Sequence, residues 1–305
     1  MDPQALLLDL DGVLYVEDEP VAGAAGAVAA LRERGLALRF VTNTTSRPRR
    51  AILERLHRLG FDAADAELLT PAVLAVRLCE ERGHRRGALL ARDEVREDFA
   101  GLEDPGDGKA DAVIVGDCGD AFDYALLNGA FAHLMDGAEL IALQKNRYWM
   151  TPDGLALDVG PFVAALEYAA RTEAVVVGKP ARAFFTTALD ELGVRPADAV
   201  MVGDDVESDV GGALAAGLAG VLVRTGKSSA RTPSATRASS PRRSRSRSPR
   251  CPRCSAASAD HGAPMLRAGR ERASCMPCSH PSRSRPSTPS ASGRCSTRRR
   301  CASGR

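Results

Sequence analysis

The sequence predicts an α/β protein: a parallel sheet covered by helices on both faces, a second α/β domain inserted into it, and a disordered C-terminal tail. Three observations lead there. Short continuous apolar runs alternate with amphipathic segments of about a dozen residues, the pattern of doubly buried strands and their crossover helices. The alternation is interrupted between residues 72 and 173, where separate strand and helix patterns occur. Past Lys227 the composition changes abruptly.

Each element has its own signal. Ala5–Leu10 is a short apolar run ending in acidic residues, and Ala24–Gly35 follows with apolar residues at helical spacing and a closing glycine. Leu36–Val41 is a second strand ending in Thr42-Asn43-Thr44-Thr45, after which Pro48–Leu59 is amphipathic and stops at Gly60. Thr70-Pro71, an N-cap residue followed by proline at the first helical position, opens the insertion. Inside it, strands are predicted at Gly87–Ala91, Asp111–Val115 and Glu139–Leu143, and helices at Ala121–Met135 and Pro161–Arg171. Ala174–Val177 should return the chain to the first sheet and run into Gly178-Lys179-Pro180 and a helix to Gly193. Ala199–Val202 runs into Gly203-Asp204-Asp205 and a helix to Gly217, and Gly220–Val223 is the last strand. The expected boundaries are 1–71 plus 174–227 for the core, 72–173 for the inserted cap and 228–305 for the tail.

A length of 305 residues with 44% hydrophobic residues supports about two ordinary domains. No apolar run approaches the roughly 20 residues of a membrane helix, and no basic-then-apolar leader precedes the first strand. The expectation is a soluble cytoplasmic protein with no membrane partner. Only Cys79 and Cys118 fall in residues 1–227, which suits a reducing compartment.

The net charge of +2 averages two unlike pieces. Residues 1–227 hold 37 acidic and 23 basic side chains, whereas residues 228–305 hold 2 acidic residues and 18 Arg. With 19 Ser, 9 Pro and no Val, Ile, Phe, Tyr or Trp, the tail cannot bury enough apolar area to offset the entropy of ordering. Cys251-Pro252-Arg253-Cys254 and Cys275-Met276-Pro277-Cys278 have zinc-ribbon spacing, but the residues between them offer no strand. Arg242–Arg250 could contact nucleic-acid phosphates non-specifically, without an aromatic residue to stack on bases. The favoured account is a frameshift, because Ser, Arg, Pro, Ala and Cys are what a shifted frame of GC-rich coding sequence yields. One uninterrupted reading frame in several close strains would overturn it.

In parallel α/β sheets, ligands bind beyond the carboxyl ends of the strands. Those ends carry Asp9 and Asp11; Thr42 and Asn43; Lys179; and Asp204, Asp205 and Asp209. Clustered carboxylates call for a hard cation, and Mg²⁺ takes one or two of them together with substrate oxygens and water. Asp9 and Asp204 are the metal ligands this reading selects. A carboxylate on a rigid strand end can attack phosphorus, which makes Asp9 the nucleophile; Asp11, two residues on, is placed as acid and base for the leaving group and water. Thr42, Asn43 and Lys179 are expected to hold phosphoryl oxygens. Gly226-Lys227-Ser228 is not a nucleotide P-loop, since five residues separate it from Gly220 where the motif has four. His57, His84 and His133 show no ligand spacing.

Taken in order, Asp9-Leu10-Asp11-Gly12, Thr42-Asn43, Gly178-Lys179-Pro180 and Gly203-Asp204-Asp205-Val206-Glu207-Ser208-Asp209 resemble the four motifs of the haloacid dehalogenase superfamily of phosphatases. The insertion between the second and third motifs resembles the α/β cap of one subclass, and the runs Gln144–Trp149 and Gly160–Tyr168 are similar to segments of its members. The resemblance covers residues 5–227. It implies a Rossmann-like core and a Mg²⁺-dependent phosphatase acting on a small phosphorylated substrate. Asp9, the Asp11 backbone carbonyl and Asp204 would hold the metal, with Asp205 and Asp209 in support; Lys145, Arg147 and Asp158 would face the substrate from the cap. Caps of this kind contribute to dimer contacts in relatives, so a homodimer through the cap stays open. Members also continue past Gly226-Lys227 with a strand and helix that residues 228–305 have no means to supply. Three alternatives remain: a dehalogenase using the same Asp on carbon without Mg²⁺; a signalling receiver, which has the Asp, Thr and Lys but no insertion; and an RNA-binding protein acting through its Arg/Ser tail.

Overall fold

The computed structural model describes residues 2–151 and 154–226, all within one compact unit. The expectations for residues 228–305 lie outside the described residues.

The first strand, Ala5–Asp9, is buried along its whole length because it is the centre of the core sheet. Ala37–Val41 and then Leu68–Leu69 lie on one side of it, and Ala199–Gly203 and then Ala219–Leu222 on the other, all parallel. The chain thus builds outward from the first strand in one direction, leaves, and returns to build in the other. That reversal is where an α/β sheet opens a crevice, and Asp9 ends the strand that borders it.

Side-chain alternation along the strand divides the core in two. Leu6 and Leu8 join Leu38 and Phe40 under the helices Ala24–Glu33 and Arg49–Arg58, represented by Val28, Ile52 and Leu56. Ala5 and Leu7 face the other way, onto Met201, Phe184 and Phe185, the last two from the helix Arg182–Asp190.

The inserted segment builds a second parallel sheet in the order Val175–Val176, Glu139–Ala142, Ala112–Val115, Gly87–Leu90. Val113, Val115, Leu140 and Ala142 face its own helices, Tyr124–Met135 and Val159–Ala170. Ile114 and Ile141 point the opposite way and join the apolar cluster that contains Ala5 and Leu7. The helix Pro71–Arg82 contributes Ala72, Leu74 and Ala75 to this shared layer, and its Thr70 hydroxyl accepts the cap bond from the Val73 N–H.

Two expectations need correction. Ala174–Val177 does not rejoin the core sheet: Val175 and Val176 pair with Ile141 and Ala142 at the edge of the inserted sheet, so the return to the core comes only after Val177. The helix Val159–Ala170 lies in the crossover between these neighbouring parallel strands, the connection that a parallel pair requires. The place in the core sheet is filled instead by Leu68–Leu69, two residues too short to show a strand pattern. An antiparallel hairpin, Tyr148–Thr151 with Gly154–Leu157, was also not expected; Tyr148, Leu155 and Leu157 on it are exposed. Among the described residues no helix is long and apolar enough to cross a membrane.

Candidate active site

Asp9, Lys179, Asp204 and Asp209 come from three distant parts of the chain and are buried together at the carboxyl ends of the core strands. Lys179 is only 2% exposed; its ammonium donates to Asp9 Oδ1 at 2.7 Å and lies 2.7 Å from Asp209 Oδ1. One carboxylate oxygen from each of Asp9, Asp204 and Asp209 falls within 4.8 Å of the others.

The electrostatics follow from that burial. Loss of water drives the Asp9 carboxyl well above the ordinary carboxylate range; the Lys179 charge pulls it back only in part, and Asp209 adds to the rise. Burial works against the Lys179 ammonium too, but Asp209 and Asp9 outweigh it and hold the amine above its usual value. Asp9 and Asp209 therefore share the Lys179 ammonium, with the Asp204 carboxylate close by. Asp209 Oδ1 has the charge contact with Lys179 but no hydrogen bond. A buried cluster of three carboxylates, hard oxygen donors within 4.8 Å of one another, fits a divalent cation of the Mg²⁺ type.

Backbone fit explains the glycines of the motifs. A side chain on Gly203 would overlap the Asp209 carboxylate, and one on Gly178 would meet the Leu143 carbonyl and, at 2.8 Å, Asn43 Oδ1. The Lys179-Pro180 peptide is cis.

The remaining predicted residues have more varied placements. Asn43 accepts from the Lys179 N–H and donates to the Lys179 carbonyl, both at 2.8 Å, so its amide positions Lys179 rather than pointing wholly at a substrate. Thr42 is buried beside it; its hydroxyl donates to Thr44 Oγ1 at 2.9 Å and accepts from the Thr44 N–H at 3.0 Å. Asp205 caps the helical turn Val206–Gly211 by accepting from the Glu207 and Ser208 N–H groups, both at 2.9 Å. Asp209 Oδ2 accepts from the Asp205 N–H at 3.0 Å. Asp11 is exposed, bridged to Tyr15, and lies outside the three-carboxylate cluster.

From the insertion, Lys145 is paired with Glu167 at 2.7 Å, and Asp158 accepts from the Val159 N–H and the Gln144 amide. Arg147 reaches across to Glu207, beside the Asp205 cap, at 3.4 Å with both side chains exposed.

Sequence reasoning missed two features here. The loop after Thr42-Asn43 is tied to the insertion: Thr45 Oγ1 accepts from the Asp117 N–H at 3.1 Å, and the Arg49 N–H donates to Asp98 at 2.9 Å. Thr225 and Gly226 lie against the site, Thr225 donating to the Gly12 carbonyl. Their position just beyond a strand was the available signal; the segment was weighed only as a phosphate loop.

Residues 6–103 match the family model for haloacid dehalogenase-like hydrolases, and residues 176–243 match the HAD-hydrolase-like model. Haloacid dehalogenase-like hydrolase domain-containing protein 2 of Rattus norvegicus is 48% identical over 226 residues, spanning 73% of this chain and 85% of that protein. The chain belongs to the haloacid dehalogenase-like hydrolase family. Another relative, phospholysine phosphohistidine inorganic pyrophosphate phosphatase of Bos taurus, is 42% identical over 230 residues, 73% of this chain and 84% of that protein. Among solved structures, the glycerol phosphate phosphatase of Mycobacterium tuberculosis, in complex with magnesium, matches with a TM-score of 0.66 and 30% identity over 73% of this chain and 69% of that one. This haloacid dehalogenase-like hydrolase is an enzyme of the phosphatase type, with the cap inserted between the second and third motifs. The receiver reading falls with that finding.

Proposed function

We propose that this hydrolase is a Mg²⁺-dependent phosphatase that cleaves a small phosphorylated metabolite through a phosphoryl-aspartate formed on Asp9. The observation that carries the reading is the Asp9 carboxylate, fixed at the end of the central strand by Lys179 and grouped with Asp204 and Asp209.

The chain's own residues account for the chemistry. An Asp9 oxygen attacks phosphorus as the bond to the leaving oxygen breaks, and Asp11 gives that oxygen its proton. In the second half Asp11 takes a proton from water as the water attacks phosphorus, releasing phosphate and restoring Asp9. Lys179 and Thr42 stabilise the charge that builds on the phosphoryl oxygens, and Asn43 keeps Lys179 in place through its backbone. Asp9, Asp204 and the Asp11 carbonyl would hold Mg²⁺, which supplies positive charge toward the transferring group. Asp209 also holds Lys179, through a second charge contact at 2.7 Å.

Metal removal tests this. Phosphate release from a panel of phosphorylated metabolites should fall to background in excess chelator and return on adding Mg²⁺. Turnover that persists without a divalent cation would contradict the proposal, and halide release from a haloalkanoate without a divalent cation would favour the dehalogenase alternative.

A further inference from the structure

We infer that Thr225 and Gly226 form a strap that sets the position of the Asp204 carboxylate, making Thr225 a positioning residue for the metal site. The inference rests on the proposed role of Asp204 in holding Mg²⁺.

The last strand, Ala219–Leu222, runs parallel to Ala199–Gly203, and the Val223 N–H donates to the Gly203 carbonyl at 2.9 Å. The chain then crosses the front of Asp204 to the loop that follows the nucleophile. There the Thr225 hydroxyl donates to the Gly12 carbonyl. Gly12, at φ 78°, and Gly226 both pack against Asp204: a side chain on either would overlap Asp204 Oδ2. The two glycines also pack against each other, since a β-carbon on Gly12 would lie 2.9 Å from the Gly226 α-carbon. A carboxylate with two stretches of backbone packed against it has little freedom. Mg²⁺ demands near-ideal octahedral geometry, so a small displacement of one ligand is felt as lost affinity. The strap adds a second tie, beyond the paired strands, between that ligand and the Gly12 backbone.

Two substitutions separate the parts of the device. Gly226→Ala puts a β-carbon against both Asp204 Oδ2 and the Gly12 α-carbon, so it disturbs the packing of the strap on Asp204. Thr225→Val keeps the volume and removes only the bond to the Gly12 carbonyl. Mg²⁺ binding to the full chain, measured by calorimetry without substrate, should weaken about 10–100-fold in Gly226→Ala, the range seen when groups supporting a metal ligand are altered. Thr225→Val should weaken in the same direction, and Thr225→Ser should bind within about twofold of wild type. Gly226→Ala and Thr225→Val that both bind Mg²⁺ like the wild type, with unchanged thermal melting, would overturn the strap. If the wild type binds no Mg²⁺, or Asp204→Asn binds it equally well, the metal reading itself fails and the strap with it.

Discussion

Asp9→Asn is expected to lower kcat by at least about 10³-fold while leaving a folded protein, because it removes the attacking group and almost nothing else. Asparagine matches the volume of aspartate, and its amide oxygen can still accept from Lys179, as Asp9 Oδ1 does at 2.7 Å. What disappears is one of the two carboxylates on the Lys179 ammonium, close to the third at Asp204. Relief of that repulsion means the metal-free variant should melt no lower than the wild type. Single-turnover phosphate release together with a thermal melt measures both. Wild-type turnover in the variant would show that another group attacks phosphorus; a large fall in melting temperature would show that the carboxylate is structural.

Lys179→Met should do the reverse, damaging stability and activity together. The substitution keeps a long side chain in a site only 2% exposed but removes the charge facing Asp9 and Asp209. Breaking a buried ion pair from one side costs about 3–5 kcal/mol, since the remaining charge is left in a dry site. For a domain of this size each kcal/mol corresponds to about 2–4 °C of melting temperature, so a clear drop is expected in the metal-free protein. Turnover should fall about 10²–10³-fold as the phosphoryl oxygens lose a cation fixed in advance. Mg²⁺ should restore part of the stability and none of that catalytic deficit. A variant that melts and turns over like the wild type would remove Lys179 from both roles.

The parts of this architecture that lie along one stretch of chain were legible in the sequence. Ala5–Leu8 shows a doubly buried strand, and Asp9, Thr42 and Asp204, each just past or at the end of a core strand, locate one rim of that sheet. Choices between distant partners were not legible. Val175–Val176 is apolar enough for either sheet, and its pairing with Ile141–Ala142 is settled by the crossover helix that precedes it. Leu68–Leu69 carries too few residues to show a period. The bonds of Asn43 to the Lys179 backbone could not be read from the sequence, because the two residues are 136 apart. Asp205, one residue beyond a cluster member, proved to be a helix cap, a role that an Asp before a helical turn always offers. The Gly12, Asp204 and Gly226 packing is a three-way steric fit with no sequence period at all.

The central claim is that phosphoryl transfer passes through Asp9. Borohydride added during turnover with Mg²⁺ reduces an acyl phosphate, and peptide mass spectrometry then reads which residue carried it. The account predicts homoserine at position 9, formed only when substrate is present. Sustained phosphate release with residue 9 unmodified, or with the reduced residue elsewhere in the chain, would contradict it.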